Sequence, residues 1–209
     1  MGDLQAAIDH WRASGERRPP EDVTLYALYE QRILILLTER RTLSRAVLAR
    51  LPLRDARPLS AFRTGPAAPA DRLLGYYREA QQRFGVGWNV LAAVNFVESA
   101  FNKLRNASSA GAQGPMQFLP STWRRYGLGG DVHDPHDAIL GAANYLHANC
   151  APRNYPRALY RYNPSPLYVD AVLRYASRIR SDPQAFYVFY SRQVFVRTPR
   201  GLVRLTGPR

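Results

Sequence analysis

One stretch of the sequence, from Trp88 to Phe101, constrains the fold more than any other. Ten of its fourteen residues are apolar, and they leave no side of a helix predominantly polar. A helix of this kind is buried all round, whereas a surface helix carries a single apolar stripe. The stretch therefore predicts a central helix in the core of the protein.

Glu98 lies near the end of this predicted helix. Apolar surroundings disfavour a charged carboxylate, so we expect the pKa of Glu98 to lie above the ordinary value of about 4.3. A carboxyl group that stays neutral near neutral pH suits a general acid in the cleavage of a glycosidic bond. The alternative role is structural, because a carboxyl group at a helix end also serves as a cap or pairs with an arginine.

The composition is that of an ordinary globular protein with a basic surface. The chain has 209 residues, of which 46% are hydrophobic and 22% charged, and its net charge is +13. Such an excess attracts polyanions, among them nucleic acid, anionic lipid and acidic cell-wall polymers. The basic residues are all arginine except Lys103, and they are spread along the chain. No basic run is dense enough to predict a nucleic-acid-binding arm.

The sequence gives few signs of a cellular compartment. Cys150 is the only cysteine, so no intramolecular disulfide forms, and we expect it to be packed in the core. There is no apolar run of about 18 residues, as a membrane span requires. The first residues lack the basic and apolar regions of a signal peptide. Two interpretations remain: a cytoplasmic protein, or a secreted protein without its leader.

The pattern divides the chain into three parts and predicts a mainly α-helical fold. Residues 1–70 predict an accessory helical segment followed by a proline-rich connector, and residues 71–180 predict the main helical domain. We expect helices that begin at Asp71, at Asp134-Pro135 and at Ser165-Pro166. Residues 181–209 form an extension in which β-forming residues from Val188 onward, around a Pro-Arg-Gly turn, predict a small hairpin.

Most cofactor chemistry lacks its usual sequence signs. His133 and His136 are close in the sequence, but no cysteine and no HExxH pattern accompanies them, so we expect no metal site. The sequence has no GxSxG elbow, P-loop or GxGxxG motif after a strand. These motifs usually accompany acyl transfer, nucleotide use and dinucleotide binding, respectively, so none of the three functions is indicated. We expect no organic cofactor.

The acidic residues point to an unusual glycosidase. Ordinary glycosidases place two carboxyl groups across the scissile bond. Glu98 is the last glutamate of the chain, and the five aspartates after it are expected in loops, in caps or on the surface. A single acid suffices if the sugar supplies its own nucleophile, because the same group then gives one proton and takes another.

Several motifs in register resemble the lytic transglycosylases of bacterial cell walls, which belong to the lysozyme-like superfamily. The resemblance covers about residues 71–180 and is nearest to the B-type membrane-bound and related actinobacterial enzymes. The matching residues are Glu98-Ser99, the run Ser108 to Phe118, Pro120-Ser121-Thr122-Trp123, the run Ala142 to Leu146, Tyr162-Asn163 and Tyr168-Val169. Pro115 and Arg161 depart from residues that are common in that family, leucine and alanine respectively.

This resemblance implies a lysozyme-like α-rich domain with a long cleft, and no metal or organic cofactor. Glu98 would be the sole general acid and then the base in cutting the β-1,4 bond between N-acetylmuramic acid and N-acetylglucosamine, leaving a 1,6-anhydromuramyl end. The residues implied to line the cleft are Ser108, Met116, Gln117, Tyr145, Tyr162, Asn163 and Tyr168. For Tyr145 and Tyr168, helical positions make core packing an alternative.

The resemblance also implies partners and a location. We expect a monomer that binds peptidoglycan glycan strands, is attracted by charge to anionic cell-wall polymers, does not bind nucleic acid, and is secreted or held in the cell envelope after its leader is removed. Two rival functions remain open. One is a hydrolase of the same superfamily, such as a goose-type lysozyme, and the other is a glycan-binding module that does not cut its ligand.

Overall fold

The protein is mainly α-helical in a computed structural model, which describes residues 63–108, 110–192, 194–198 and 201–204. The described elements are α1 (Ala70–Phe84), α2 (Trp88–Ser99), α3 (Pro120–Tyr126), α4 (Pro135–Ala148), α5 (Tyr155–Tyr162), α6 (Pro166–Ser181), α7 (Gln184–Ser191), β1 (Phe195–Thr198) and β2 (Gly201–Arg204). The mainly α prediction is confirmed. The predicted accessory segment lies outside the described residues up to residue 62, and it stays a prediction.

Helix α2 is the centre of the core, as its composition predicts. All ten residues from Val90 to Ser99 are buried, and the helix contacts α1, α4, α6 and α7. Phe96 alone packs its ring against Phe101, Tyr175 and Phe189 at centroid distances of 4.8 to 5.4 Å. Because a fully buried phenylalanine contributes about 2 to 3 kcal/mol through its apolar surface, this cluster makes the position of α2 difficult to shift.

The helix boundaries follow local chemistry at most ends. Asp134 is the N-cap of α4 and accepts hydrogen bonds from the backbone N–H groups of His136 and Asp137, and Ser165 caps α6 by accepting one from Tyr168. Asp71 differs from the prediction, because Pro69 is the N-cap of α1 and Asp71 lies in its first turn. There its carboxylate complements the positive end of the helix dipole instead.

Two predictions near helix ends are wrong. Cys150 follows α4 rather than continuing it, and it is half-buried with a φ of 88°. The segment around Val188 is the helix α7, so strand structure begins only at Phe195, where β1 pairs antiparallel with β2. The apolar residues Phe186 and Phe189 pack inward, and this burial outweighs their β propensity.

The connector before α1 joins the domain directly. Thr64 forms an isolated antiparallel bridge with Leu104, and the backbone N–H of Arg105 donates to the carbonyl of Arg63 at 2.9 Å. The chain therefore runs along the segment that follows α2 before it enters the helical domain. Within the described part of the chain, no helix has the length and apolar character needed to cross a membrane.

Candidate active site

Glu98 lies in the last turn of α2, where the core meets the surface. Glu98 is only 8% exposed. Asn95 and Ser99 are the other two buried polar residues of this helix. A buried carboxyl group is held there by its surroundings and cannot rotate freely into water. The structure therefore places the predicted acid in the buried position that the sequence predicts.

The chain turns sharply after Glu98. Ala100, Phe101 and Asn102 have φ values of 51°, 62° and 67°, so three consecutive non-glycine residues adopt left-handed backbone. Left-handed conformations cost about 1 to 2 kcal/mol per residue because the β-carbon approaches the following carbonyl. Strain of this kind persists only where the surrounding contacts impose it, and it is concentrated at functional sites.

Ser99 fastens this turn to a second segment. Its hydroxyl donates to the carbonyl of Pro115 at 2.6 Å, and its oxygen accepts the backbone N–H of Asn102 at 2.8 Å. The backbone N–H of Leu104 donates to the carbonyl of Ser99 at 3.0 Å. Ser99 is part of the sequence motif, but its role as a fastener between the turn and the next loop was not predicted.

The segment 106–118, called here the site loop, is closed by its own polar side chains. Gln113 and Phe118 pair through two backbone hydrogen bonds of 2.9 Å. The side-chain amide of Gln117 donates to the carbonyls of Gly114 and Asn106 at 3.0 and 3.3 Å. These bonds commit the amide N–H groups of Gln117 to the loop, so its carbonyl oxygen is the group left for a ligand.

Gly114 allows the site loop to approach the segment before α4. Its φ is +74°, and a β-carbon at this position would lie 1.9 Å from the carbonyl oxygen of Val132. No side chain fits that space, so only glycine permits the approach. Ser108 closes the other end of the loop, because its hydroxyl oxygen accepts the backbone N–H of Ala112 at 3.0 Å. Its neighbour Ser109 lies outside the described residues.

Tyr162 is bonded to the site loop and lies within electrostatic range of Glu98. Its hydroxyl donates to the carbonyl of Met116 at 2.6 Å. Burial raises the pKa of Tyr162 well above the ordinary tyrosine value, and the nearby Glu98 and Tyr145 raise it further. The phenol therefore remains protonated at any physiological pH. The effect of Glu98 on this pKa also shows that the two side chains lie within electrostatic range of each other.

Tyr145 packs beside Tyr162, with ring centroids 5.2 Å apart in an edge-to-face arrangement. It is half-buried, and its hydroxyl donates to the carbonyl of Arg161 at 2.6 Å. Burial and the nearby Tyr126 raise the pKa of Tyr145, while Arg161 lowers it less. The rings of Phe118 and Tyr126 complete an aromatic wall around these two tyrosines.

The remaining predicted residues differ in exposure. Tyr168 and Met116 are fully buried, and the ring of Tyr168 stacks parallel to that of Tyr162 at 6.4 Å. These two side chains support the site from beneath, and their contact with a ligand stays a prediction. Asn163 is half-buried at the end of α5, where its carbonyl accepts the backbone N–H of Ser165 at 2.7 Å.

The other acidic side chains of the described region have partners or positions of their own. Asp170 pairs with Arg174, Asp182 with Arg178 and Glu79 with His136, each within 3.5 Å. Asp134 caps α4, and Asp137 accepts the backbone N–H of Asp131. The sequence prediction that these aspartates lie in caps, loops and surface pairs agrees with these contacts.

One group of side chains has the spacing of a metal site. Ligand atoms of Asp134, His136 and Asp137 lie within 4.8 Å of one another. However, both ring nitrogens of His136 already contact carboxylates, Glu79 at 3.0 Å and Asp137 at 3.1 Å. Burial lowers the pKa of His136, but these contacts outweigh it and the pKa is raised. A histidine binds a metal as the neutral imidazole, whereas these two carboxylates favour the protonated ring.

A cavity of about 470 Å³ lies behind the site loop. It is lined by Pro66, Ala67, Ala68, Asn102, Arg105, Gly114, His133 and Pro135. None of the predicted site residues lines it, although Gly114 of the site loop does.

Comparison with known proteins identifies relatives of the helical domain. A stretch of 71 residues is 37% identical to the membrane-bound lytic murein transglycosylase F of Thiobacillus denitrificans (strain ATCC 25259 / T1). The match covers 34% of this chain and only 15% of that relative.

Two solved structures show a distant similarity. They are a 36 kDa muramidase/transglycosylase and the Escherichia coli lytic transglycosylase SLT35 in complex with calcium. Each is 15% identical with a TM-score of 0.41, and the matches cover 84% of this chain and 98% and 97% of those chains. A similarity of this degree supports no comparison of sites, so the lysozyme-like arrangement stays a prediction.

The sequence profile described as the Transglycosylase SLT domain matches residues 75–182. The match takes in Glu98, the whole site loop and the tyrosines that surround them, and it spans just over half of the chain. The chain therefore belongs to the Transglycosylase SLT domain family.

Proposed function

We propose that the protein is a peptidoglycan lytic transglycosylase that cuts the β-1,4 bond between N-acetylmuramic acid and N-acetylglucosamine. The observation that carries the proposal is the buried Glu98 at the end of α2, within the part of the chain that the SLT profile matches. The other acidic side chains of the described region make their contacts elsewhere. We therefore assign the reaction to one carboxyl group, that of Glu98.

The single carboxyl acts first as an acid and then as a base. Neutral Glu98 gives its proton to the glycosidic oxygen as the bond to the muramic anomeric carbon breaks, so the N-acetylglucosamine end leaves as an alcohol. The resulting carboxylate then takes the proton of the muramic C6 hydroxyl while that oxygen closes on the anomeric carbon. The product is a 1,6-anhydro ring, and no water is consumed.

Tyr162 favours the neutral form of Glu98 before the reaction. Its one hydroxyl proton is donated to Met116, so toward Glu98 the phenol oxygen can only accept a hydrogen bond. An acceptor stabilises a protonated carboxyl and does not stabilise a carboxylate. The raised pKa of Tyr162 keeps the phenol itself from ionising. Tyr162 therefore orients Glu98 as an acid.

The proposed glycan-binding residues are those that the resemblance implies. Among them, we assign direct contact with sugar to the half-buried residues, which are Ser108, Gln117, Tyr145, Tyr162 and Asn163. The buried Met116 and Tyr168 hold the loop and the ring of Tyr162 in place. The proposal needs no metal or organic cofactor.

The proposed setting is the cell envelope, where the substrate lies. The net charge of +13 draws the protein to an anionic wall, and one relative bears the name of a membrane-bound enzyme. We expect the protein to act as a monomer and to bind wall preparations less at high salt, because ions screen surface charges.

The products of digestion test the reaction. Mass spectrometry of peptidoglycan treated with the protein should find anhydromuramyl ends. The rival function, a hydrolase of the same superfamily, uses a positioned water and gives products heavier by one water molecule. Hydrated ends alone would overturn the transglycosylase proposal.

Glu98→Gln tests the acid itself. The amide cannot give a proton, so the rate at which a cell-wall suspension clears should fall about a thousandfold, the middle of the range for general acid–base catalysis. Binding to wall material, measured by co-sedimentation, should stay within about twofold because the side chain keeps its size. Full clearance by this variant would show that Glu98 is not the acid.

Glu79→Gln is the matched control, because it makes the same chemical change at an exposed glutamate on α1. It should clear the suspension at the rate of the unmodified protein. If the unmodified protein binds the wall but neither it nor the control clears the suspension, the non-catalytic binding module becomes the better description.

A further inference from the structure

The chain beyond the family region packs directly against the turn that follows Glu98. Helix α7 begins at Gln184, after the last residue of the SLT match. The ring of Phe101, at the centre of the left-handed turn, lies 5.6 Å from that of Phe186 and 5.8 Å from that of Tyr190. Val194 forms a small buried cluster with Ala100 and Leu104 on either side of the same turn.

Lys103 makes the polar part of this contact. Its ammonium group donates to the carbonyl of Tyr190 and, at 2.8 Å, to that of Arg192, and it lies 5.3 Å from the centre of the Tyr190 ring. These carbonyls are at the negative end of α7, where a cation is stabilised. Burial lowers the pKa of Lys103, in keeping with an ammonium that is partly withdrawn from water.

The presence of lysine at position 103, in a chain whose other basic residues are arginine, indicates a requirement for an ammonium group. The chain has 29 basic residues, and Lys103 is the only one that is not arginine. An ammonium is a compact point charge with three donors, whereas a guanidinium is a wide planar fork. Two converging carbonyls and an aromatic ring match the compact charge and separate donors of an ammonium.

A few hydrogen bonds connect Lys103 with the candidate site. Lys103 follows Asn102, whose backbone N–H donates to the hydroxyl oxygen of Ser99. That hydroxyl in turn holds the carbonyl of Pro115, next to Met116, which accepts the hydroxyl of Tyr162. A shift of the turn would therefore move the residue after Glu98 and the site loop together.

We propose that Lys103 forms a clamp with residues 184–192 and Val194, which lie beyond the region that the family profile matches, and that this clamp holds the left-handed turn and so positions Glu98. Lys103 is a positioning residue and does not touch the substrate. The proposal rests on the proposed function of Glu98, and it assigns to the C-terminal extension a part in that reaction.

Lys103→Met tests the clamp in the full-length protein, because methionine keeps the apolar stem and removes the charge and all three donors. The value of kcat on isolated glycan strands should fall about tenfold, since small misplacements of a catalytic group cost up to about a hundredfold in rate. KM should change by less than about twofold, because the clamp does not touch substrate. Rates are compared at a temperature at which circular dichroism shows both proteins folded.

Arg178→Gln is the control for the loss of one positive charge, because Arg178 is an exposed residue on α6 that pairs only with Asp182 among the described residues. It should match the unmodified protein in kcat. Lys103→Arg keeps the charge but changes the shape of the head group, so it should recover only part of the lost rate.

Hydrogen exchange gives a second readout that does not need catalysis. In Lys103→Met the amides of Asn102 and Leu104, both bonded to Ser99, should exchange at least about tenfold faster than in the control. Unchanged kcat, or unchanged protection of these two amides, would overturn the clamp, whatever the effect on thermal stability. If the unmodified protein cuts no glycan, the proposed function fails, and exchange alone still decides whether the clamp exists.

Discussion

Two of the polar contacts that helix α1 makes with the rest of the domain differ in character. Tyr77 faces inward, where its hydroxyl accepts a hydrogen bond of 2.8 Å from the side-chain amide of Asn95 on α2. Glu79, two residues further on, faces outward and contacts the ring of His136 on α4 at 3.0 Å. The first contact is neutral and fully buried. The second is exposed, and it joins a carboxylate to an imidazole that carries charge only when protonated.

The difference shows how burial sets the strength of a polar contact. Burial raises the pKa of Tyr77 far above its usual value, while its hydrogen bond with Asn95 lowers it by less. If either side chain is removed, the other cannot form a hydrogen bond with water instead. Removing one of them therefore leaves an unsatisfied polar group in the core. Around His136 and Glu79 water replaces a lost partner, and exposed ion pairs contribute at most about 1 kcal/mol.

The buried contact is also linked to the candidate site by further hydrogen bonds, whereas the contact between Glu79 and His136 lies at the surface. Asn95 lies one helical turn before Ser99, and the Ser99 hydroxyl lies 3.3 Å from the Asn95 side-chain oxygen. Ser99 then holds the site loop through Pro115. A polar connection thus runs from α1 to the residue beside Glu98.

Asn95→Ala should have the largest effect. It removes the partner of the Tyr77 hydroxyl and leaves a small cavity, so the free energy of unfolding should fall by about 3 kcal/mol in urea denaturation. Asn144→Ala is the matched control, because Asn144 is half-buried and donates one hydrogen bond, to Tyr126 at 3.0 Å. That control should lose about 1 kcal/mol. Equal losses would remove the distinction between buried and exposed contacts.

Ser99→Ala should come next, with a loss of about 2 kcal/mol, because the carbonyl of Pro115 and the N–H of Asn102 both lose their partner. Ser181→Ala makes the same change at an exposed serine whose hydroxyl donates to Arg178, and it should stay within about 0.5 kcal/mol of the unmodified protein. Urea denaturation measures both. A loss at Ser99 no greater than that at Ser181 would mean that Ser99 does not fasten the site loop.

The sequence predicts the parts of this structure that depend on local chemistry. Apolar composition alone predicts the buried position of α2, and Asp134 and Ser165 mark the starts of α4 and α6. Asn95 also carried a usable signal, because a polar residue in an otherwise apolar helix needs a buried partner. That partner is Tyr77, and its identity depends on how α1 packs against α2. Local sequence patterns do not predict this packing.

The remainder depends on contacts between distant segments. Phe101 is apolar, as a residue that continued α2 would be, yet it adopts left-handed backbone and packs its ring against Phe186 of α7. Residues around Val188 have β-forming side chains, and their burial against α2 and α6 makes them helical. For the candidate site, the sequence indicates Glu98 and Tyr162, but not that Tyr162 donates to Met116.

The exposed contact should give the smallest effect, and one that depends on pH. The pKa of His136 is raised in the folded protein, so its charge stabilises the fold fully below the unfolded value of about 6.5, and this contribution disappears as the pH rises through the folded pKa. We expect His136→Gln to lower the free energy of unfolding by less than about 1 kcal/mol near pH 5.5, and by less still near pH 9. His133→Gln removes an exposed imidazole close to the start of the same helix and is the control for the substitution itself. Urea denaturation at the two pH values measures the trend. If the loss in free energy of unfolding caused by His136→Gln grew with pH, the ring would be acting as a neutral hydrogen-bonding group, as Asn95 does in the core.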